Sequence, residues 1–306
     1  MISYVIRRLL IAIPTLIGVV TVSFMLVRVV PGDPARTAAG PDATAADVER
    51  IRQQLGLDDP WWKQYVDYLV GIVHGDLGTS SRTGQSVLGE VLARLPNTMT
   101  LAVGALVIAA AAGCLFGVVA ALRRGGLADV VLTGVSVLGV SMPVYWSGLL
   151  LMIIFAVNLG WFPAAGTGGL MSLVLPMATL AFFAMGFISR QMRSSMVEAM
   201  SSDFIRTARA RGLSRRQIVT RHALGNAALP VITIIGLELG GMLGGAVVTE
   251  TVFAWPGLGR LIVDSIGSRD FAAVQGTVLV FAFMLVLVNL LTDIVYAYVD
   301  PRIRYD

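Results

Sequence analysis

The chain has 306 residues, of which 56% are hydrophobic and only 14% are charged, and its formal net charge is +4. Its mean hydropathy of +0.78 is far above that of a soluble domain, and several apolar runs reach the roughly 20 residues that a helix needs to cross a bilayer. The composition therefore excludes a soluble globular protein and predicts an all-α integral membrane protein. Because Cys114 is the only cysteine, an intramolecular disulfide is excluded as well.

The hydropathy pattern predicts six transmembrane helices. The first is expected to be an uncleaved anchor, because no small-residue cleavage site follows its long apolar run. The predicted spans are Leu9–Val29, Met99–Leu122, Val130–Val157, Leu170–Ile188, Leu229–Thr249 and Gly276–Val299. They divide the chain into residues 1–30 with the first span, an outer segment over residues 31–98, and a core over residues 99–306 that holds five spans and the basic loop 189–228.

The arginines predict the orientation of the spans. They cluster before the first span, after the second, between the fourth and fifth, and after the sixth, which places the clusters on one side if six spans alternate. These arginines are Arg7, Arg8, Arg123, Arg124, Arg190, Arg193, Arg206, Arg209, Arg211, Arg215, Arg216, Arg221, Arg302 and Arg304. The opposite loop 158–169 has no basic residue, and the loop 250–275 has only Arg260 and Arg269. The positive-inside rule then places both termini in the cytoplasm, and the net charge reflects topology and not a nucleic-acid surface.

The outer segment is predicted to form short helices. Pro31-Gly32-Asp33-Pro34 is a turn that ends the first helix. Thr44 or Asp47 can cap a short helix, and a second helix is predicted over Trp61–Val73, whose tryptophans and tyrosines suit a membrane interface. Two interpretations stay open for these helices: they only cover the helix bundle, or they also shape an outer gate or a docking surface.

Residues that would carry catalysis or hold a cofactor are missing from the sequence. The only lysine, Lys63, lies in the outer segment, so a phosphate-binding loop of the GxxxxGK[ST] type is excluded. His74 and His222 lie outside the predicted spans, which excludes a buried bis-histidine haem and a zinc site of the HExxH type. We expect a chain that is not an enzyme and has no cofactor or metal of its own.

A basic island over Ser201–Pro230 interrupts the apolar runs. Its sequence predicts a helix over Asp203–Ala210, a turn at Gly212, and a second helix from Arg215 to about His222 that Ser214 caps. One interpretation is a solvated loop that only enforces topology. The alternative, a surface for a partner, is favoured by three apolar residues for which no core is evident: Phe204, Ile205 and Ile218.

The basic island resembles the "EAA" loop of permease subunits in binding-protein-dependent ABC importers. In that family the loop forms a coupling helix that seats in a cleft of an ATPase subunit. Aligned on Gly212, Ala208 is the second alanine of the motif, whereas Arg206 replaces its acidic residue and Thr207 its first alanine. The resemblance assigns ATPase coupling to Asp203, Phe204, Arg206, Thr207, Ala208, Ala210, Arg211, Gly212 and Leu213.

Those departures weaken the match to sugar-type permeases, and motifs along the whole chain are similar to the peptide-type branch instead. They are Pro31-Gly32-Asp33-Pro34, Leu55-Gly56-Leu57-Asp58, Gly75-Asp76-Leu77-Gly78, the run Phe253–Gly259 and Asp300-Pro301-Arg302-Ile303-Arg304. The pattern resembles the first of two permeases for dipeptides, oligopeptides, glutathione or nickel, and PGDPARTAAGPDA with IRQQLGLD resembles the glutathione-type member. The resemblance implies a bacterial inner-membrane protein with several partners: membrane lipid, a second permease, two ATPase subunits that bind ATP and Mg²⁺, and an extracytoplasmic substrate-binding protein.

Polar groups within and beside the fifth span are candidates for the translocation pathway. Glu238 lies near its middle, where an ionisable side chain is costly, and Gly241 and Gly245 share its face. Two interpretations of Glu238 stay open with equal weight. It lines the pathway, or it is a protonated carboxyl that is hydrogen-bonded to a neighbouring helix. By family analogy, Glu250, Trp255 and Pro256 lie near an outer gate.

Two rival functions remain at this point. In an ion-coupled secondary transporter, Glu238 would serve as a coupling site. A structural membrane scaffold would have no transport activity at all. The basic island and the family motifs argue against both.

Overall fold

The computed structural model describes residues 2–29, 33–40, 43–54 and 56–299. Within these residues the chain is helical, and its only β contact is an isolated bridge between Thr79 and Ser86. The chain forms two compact units. Of the described residues, the first unit contains 99–254 and 288–299, and the second contains those within 2–98 and 255–287.

The helices follow the predicted order closely. They are α1 (Ile2–Val29), α2 (Pro34–Ala39), α3 (Ala45–Gln54), α4 (Trp61–Val73), α5 (Val87–Leu122), α6 (Leu127–Ser141), α7 (Val144–Leu151), α8 (Met171–Ser201), α9 (Asp203–Ala210), α10 (Arg215–Gln217), α11 (Leu224–Val252), α12 (Leu258–Gly267) and α13 (Phe271–Val299). A wider π-helical turn over Met152–Asn158 follows α7, and another over Ile218–Ala223 joins α10 to α11.

Among the described residues, four helices are long and apolar enough to cross a membrane. They are α5, α8, the continuous helix Arg215–Val252, and α13 over Phe271–Ile294. They confirm the predicted spans two, four, five and six as apolar helices. The apolar part of α1 is the shorter stretch Leu10–Met25, so the described residues do not confirm a count of six spans.

The third predicted span is not one straight helix. Its two parts, Leu127–Ser141 and Val144–Asn158, meet at 113°. The break is at Met142, whose φ of −84° and ψ of 129° are extended, and at the following Pro143. Proline has no N–H to donate and its ring disfavours helical geometry in the residue before it, which explains why the helix ends here.

In the first unit, α8 is the central helix and packs against α6, α7 and α11. More than half of the most apolar stretch of α8 is buried. This is the largest buried share among the four long apolar helices of the described residues. Because α8 runs on to Ser201, 13 residues beyond the predicted end of the fourth span, it reaches directly into the basic island. The helix that enters this island is therefore anchored in the middle of the bundle.

In the second unit, α4 packs on the last turns of α1. The rings of Phe24 and Tyr65 meet edge to face at 5.1 Å, and the hydroxyls of Thr21 and Tyr65 lie 2.6 Å apart. Burial raises the pKa of Tyr68 to about 12. The predicted helices over Ala45–Gln54 and Trp61–Val73 are confirmed, including the bond from the Asp47 N–H to the Thr44 hydroxyl.

Several predicted features lie outside the described residues. They are the first part of the turn at Pro31-Gly32, Leu55, and the C-terminal motif Asp300–Arg304 with its arginines Arg302 and Arg304.

Candidate functional site

The predicted coupling helix is α9, and only Ser202 separates it from α8. Ser202 is extended, with φ −73° and ψ 157°, so the chain turns sharply before Asp203. At the other end, Gly212 has a φ of +75°, which glycine adopts without strain and other residues rarely do. This turn lets the Leu213 N–H donate to the Ala208 carbonyl over 3.3 Å, a typical helix C-cap bond. The predicted helix and its glycine turn are confirmed.

The second helix of the island begins with a reciprocal cap. The Gln217 N–H donates to the Ser214 hydroxyl over 3.3 Å, and the Ser214 N–H donates to the Gln217 side chain over 3.0 Å. The helix does not stop near His222, as predicted, but continues through the π turn into α11. The second helix of the island and the fifth span thus form one continuous rod, Arg215–Val252.

The apolar residues of the island point in different directions, which corrects one argument from the sequence. Ile205 is 1% exposed and Ile218 is 3% exposed, so both are buried within this chain and neither waits for a partner. The reason is tertiary: α9 packs against α8 and against the π turn. Ala208 is also buried, at 6%. Phe204 alone of the three apolar residues is exposed, at 42%.

The solvent-exposed surface of the basic island is polar and positively charged around Phe204. Of the predicted coupling residues, Asp203, Phe204, Arg206, Thr207, Ala210, Arg211 and Gly212 are exposed, Leu213 is half-buried, and Ala208 is buried. Arg206 and Asp203 form an ion pair over 3.3 Å, but both side chains are more than four-fifths exposed, and such pairs add little stability. The exposed arginines Arg206, Arg209, Arg211, Arg215 and Arg216 outnumber this one acid. The surface therefore suits an acidic protein partner.

The pathway candidates on α11 are brought together only in part. Gly241 and Gly245 line a cavity of about 230 Å³ together with Val144, Leu180 and Phe183. Glu238 is half-buried and is not among the residues that line this cavity. Within the described part of the chain, no group donates a hydrogen bond to the Glu238 carboxyl or forms an ion pair with it.

Gly236, Gly240 and Gly244 recur every four residues and form a stripe of small residues on α11, which packs within the chain at one point. The Thr292 hydroxyl of α13 donates to the Gly236 carbonyl over 3.3 Å, and a Cβ at Gly236 would lie 2.3 Å from the Thr292 methyl carbon. A Cβ at Gly244 would meet nothing within 4 Å. The two ends of the stripe therefore differ, since only the Gly236 end has a helix packed against it at that distance.

The three outer-gate candidates are buried or held by hydrogen bonds. Glu250 lies inside α11 and is 0% exposed. The Trp255 indole N–H donates to the Asn97 carbonyl over 3.2 Å, and the Asn97 side chain donates to the Pro256 carbonyl over 2.9 Å. Trp255 and Pro256 are thus bonded to Asn97 of α5, which belongs to the same second unit. The short helix α12, Leu258–Gly267, follows directly.

One pair of functional candidates was missed from the sequence. Asp129, near the start of α6, binds Arg193 of α8 with two hydrogen bonds of 2.6 and 2.8 Å. Arg193 was interpreted only as a topogenic charge. The local signal was an aspartate at the edge of an apolar run, which needs a partner if it is buried. The partner is 64 residues away in the sequence, so no spacing rule would have found it.

Metal ligation was tested by geometry. Within residues 2–29, 33–40, 43–54 and 56–299, no group of three or more His, Cys, Asp or Glu side chains is arranged to hold a metal ion.

The sequence matches two family models that together cover almost the whole chain. Residues 113–305 match the binding-protein-dependent transport system inner membrane component, and residues 1–102 match the N-terminal region of such membrane components. The chain is 43% identical over 305 residues to the glutathione transport system permease protein GsiC of Salmonella choleraesuis strain SC-B67, covering 100% of both chains. It is 42% identical to GsiC of Escherichia coli strain K12 over the same length.

Solved structures of two ABC transporters share the fold. A chain of the MetNI methionine ABC transporter matches with a TM-score of 0.59 and 21% identity, over 69% of this chain and 96% of that one. A chain of an amino acid ABC transporter matches with a TM-score of 0.54 and 16% identity, over 69% and 94%. The helical core and the full-length family match lead to one conclusion: this chain belongs to the inner-membrane permease components of binding-protein-dependent ABC importers.

Proposed function

We propose that this permease imports short peptides of the glutathione class, together with partner chains that supply the energy. The observation that supports this most is the 43% identity to glutathione permeases over the full length of both chains. Dipeptides, oligopeptides, and nickel or another small solute remain the alternative substrates of the peptide-type branch.

ATP hydrolysis is assigned to partner subunits and not to this chain. The sequence has no GxxxxGK[ST] loop, and its only lysine lies on α4. In the proposed complex, two ATPase subunits bind ATP and Mg²⁺, a second permease completes the pathway, and an extracytoplasmic binding protein delivers the substrate. Both termini and the basic island then lie in the cytoplasm, as the arginine distribution predicts.

The proposed docking site for an ATPase subunit is the exposed face of α9 and its Gly212 turn. Phe204 is the apolar anchor, because it is an exposed aromatic side chain and aromatic residues are enriched at the centres of protein interfaces. The arginines around it would meet an acidic rim, which favours the correct partner and speeds association. Ala208, in contrast, would act from inside by allowing α9 to pack closely, since it is buried in this chain.

The proposed inner pathway runs along α11 beside Gly241 and Gly245. Because both residues are glycines, no side chain from these positions fills the cavity, which Val144, Leu180 and Phe183 also line. The Glu238 carboxyl forms no hydrogen bond or ion pair with any described group. This favours a role in the pathway over a hydrogen bond to a neighbouring helix. Glu250, Trp255 and Pro256 are proposed to support the outer gate as buried or bonded groups.

The substrate assignment is tested with the assembled complex in proteoliposomes. Uptake of labelled glutathione, a labelled dipeptide and ⁶³Ni²⁺ would be measured with the cognate binding protein and ATP inside the vesicles. We expect glutathione to be taken up and to be competed by unlabelled glutathione. Uptake of nickel alone, or of dipeptides without competition by glutathione, would contradict the assignment.

A further inference from the structure

The ion pair between Asp129 and Arg193 joins α6 to the helix that leads into the coupling helix. Arg193 Nε lies 2.6 Å from Asp129 Oδ1, and Arg193 Nη2 lies 2.8 Å from Oδ2, so the guanidinium binds both oxygens. The Gly125 N–H and the Thr133 hydroxyl donate to the same carboxylate over 3.0 and 3.3 Å. The Asp129 side chain is only 8% exposed. A buried charge with four donors has a single well-defined position.

Two further contacts continue the interface from this pair into the bundle. The Ser136 hydroxyl donates to the Ser189 hydroxyl over 3.0 Å, and both residues are buried. One turn further, a Cβ at Gly139 would lie 2.5 Å from the Phe182 carbonyl, and a Cβ at Gly186 would lie 2.5 Å from the Ser136 carbonyl. The backbones therefore touch where side chains are absent.

The order of these contacts shows that the two helices are antiparallel and in a fixed register. Positions rise on α6 from Asp129 through Ser136 to Gly139, while their partners fall on α8 from Arg193 through Ser189 to Gly186. The interface spans 11 residues of α6, from Asp129 to Gly139, a distance of about 15 Å at the helical rise per residue. Sliding α6 along α8 by one residue would shift the facing charges and hydroxyls by about 1.5 Å and disturb this geometry.

We propose that the Asp129–Arg193 pair makes α6 and α8 move as one body when the coupling helix moves. The proposal rests on the proposed coupling role of α9. Arg193 lies eight residues before the end of α8, and only Ser202 separates α8 from α9. A displacement of α9 is therefore transmitted through α8 to α6 at their cytoplasmic ends, and Asp129 and Arg193 act as positioning residues.

The far end of α6 shows what this motion would reach. After the break at Met142 and Pro143 the chain continues into α7, and its first residue, Val144, lines the cavity beside Gly241 and Gly245. Val144 follows α6 through Met142 and Pro143, and α7 also packs directly against α8, so joint movement of α6 and α8 would carry Val144 along. The ion pair thus connects the ATPase-facing helix to one wall of the proposed pathway.

A covalent substitute for the ion pair gives the decisive test. In a Cys114→Ala background, Ser136→Cys and Ser189→Cys place two thiols where hydroxyls now lie 3.0 Å apart. If the helices move as one body, oxidation to the disulfide leaves ATP-driven uptake by the reconstituted complex unchanged. If α6 slides along α8 in the cycle, oxidation abolishes uptake and a reductant restores it, which would overturn the proposal. Each single cysteine variant, oxidised in the same way, is the matched control.

The second arm removes the charge. Asp129→Asn should lower uptake per ATP hydrolysed several-fold while basal hydrolysis continues. The disulfide formed by Ser136→Cys and Ser189→Cys should restore this ratio. Unchanged uptake per ATP in Asp129→Asn, or a loss that the disulfide does not repair, contradicts the proposal. If Asp129→Asn does not assemble, the first experiment, with Asp129 unchanged and the disulfide oxidised, still tests whether the two helices move as one body. Failure of the coupling role itself is distinguishable, because Gly212→Pro would then keep normal uptake per ATP hydrolysed.

Discussion

The Gly212 N–H donates to the Arg209 carbonyl over 3.0 Å while the φ of Gly212 is +75°, so one residue both ends α9, the proposed coupling helix, and turns the chain toward the fifth span. Proline cannot adopt this φ and has no N–H to donate. Gly212→Pro is therefore expected to leave membrane insertion intact but to separate ATP hydrolysis from uptake. Purified complexes would be assayed for both.

Gly84→Pro is the matched control for that variant. Gly84 has a φ of +70°, and its N–H donates to the Ser80 carbonyl over 2.9 Å, so the local cost is similar. It lies in the second unit, far from the basic island in sequence. Normal coupling in Gly212→Pro, or the same uncoupling in Gly84→Pro, would contradict the role assigned to the Gly212 turn.

Two neighbouring residues of α9 should differ in what their truncation to alanine affects: one partner binding, the other stability. Phe204→Ala removes an exposed anchor and is expected to weaken ATPase binding with little effect on the amount of folded permease. Ile205→Ala removes a fully buried side chain and is expected to lower the free energy of unfolding by about 2–5 kcal/mol. Binding of the purified ATPase and thermal stability of the isolated permease separate the two. Equal loss of stability in both variants would show that Phe204 is part of the core.

Thiol labelling tests the orientation that the arginines predict. In a Cys114→Ala background, a cysteine introduced at Ser81 should react with an impermeant reagent from outside intact cells. A cysteine introduced at Ser214, which is exposed and caps α10, should react only after permeabilisation. The reverse pattern would invert the proposed topology and place the basic island outside.

Charge at Glu238 is expected to matter for transport and not for assembly. Because no described group bonds to its carboxyl, Glu238→Gln should change uptake of cationic or zwitterionic peptides, while both Glu238→Gln and Glu238→Leu should assemble with the second permease. Uptake and complex yield would be measured for both variants. Normal uptake with Gln, together with poor assembly with Leu, would show a packing role instead.

Local sequence signals predicted the features that depend on neighbouring residues. The Ser214–Gln217 cap, the end of α9 at Gly212 and the helix over Trp61–Val73 each follow from residues within a few positions. The break before Pro143 carries such a signal too, because proline disfavours a helical residue at Met142. The continuous apolar run on both sides of that proline nevertheless favours one straight span, which is why the break is missed from hydropathy alone.

Features that depend on distant residues could not be predicted in this way. Ile205 and Ile218 looked unsatisfied because the helices that bury them were known only as separate segments. Asp129 and Arg193 meet only once α6 and α8 are packed in antiparallel register, 64 residues apart. Likewise, the bond between Trp255 and Asn97 joins residues 158 positions apart, and no hydrophobic period reports it.

The energy source of uptake tests the central claim most directly. The permease would be reconstituted with its second permease, ATPase subunits and binding protein, with ATP enclosed, and ionophores would collapse the proton and sodium gradients. We predict that substrate uptake continues at the same rate under these conditions and stops when ATP is replaced by a non-hydrolysable analogue. Uptake that stops with the gradients and continues without ATP hydrolysis would contradict the account and identify an ion-coupled transporter.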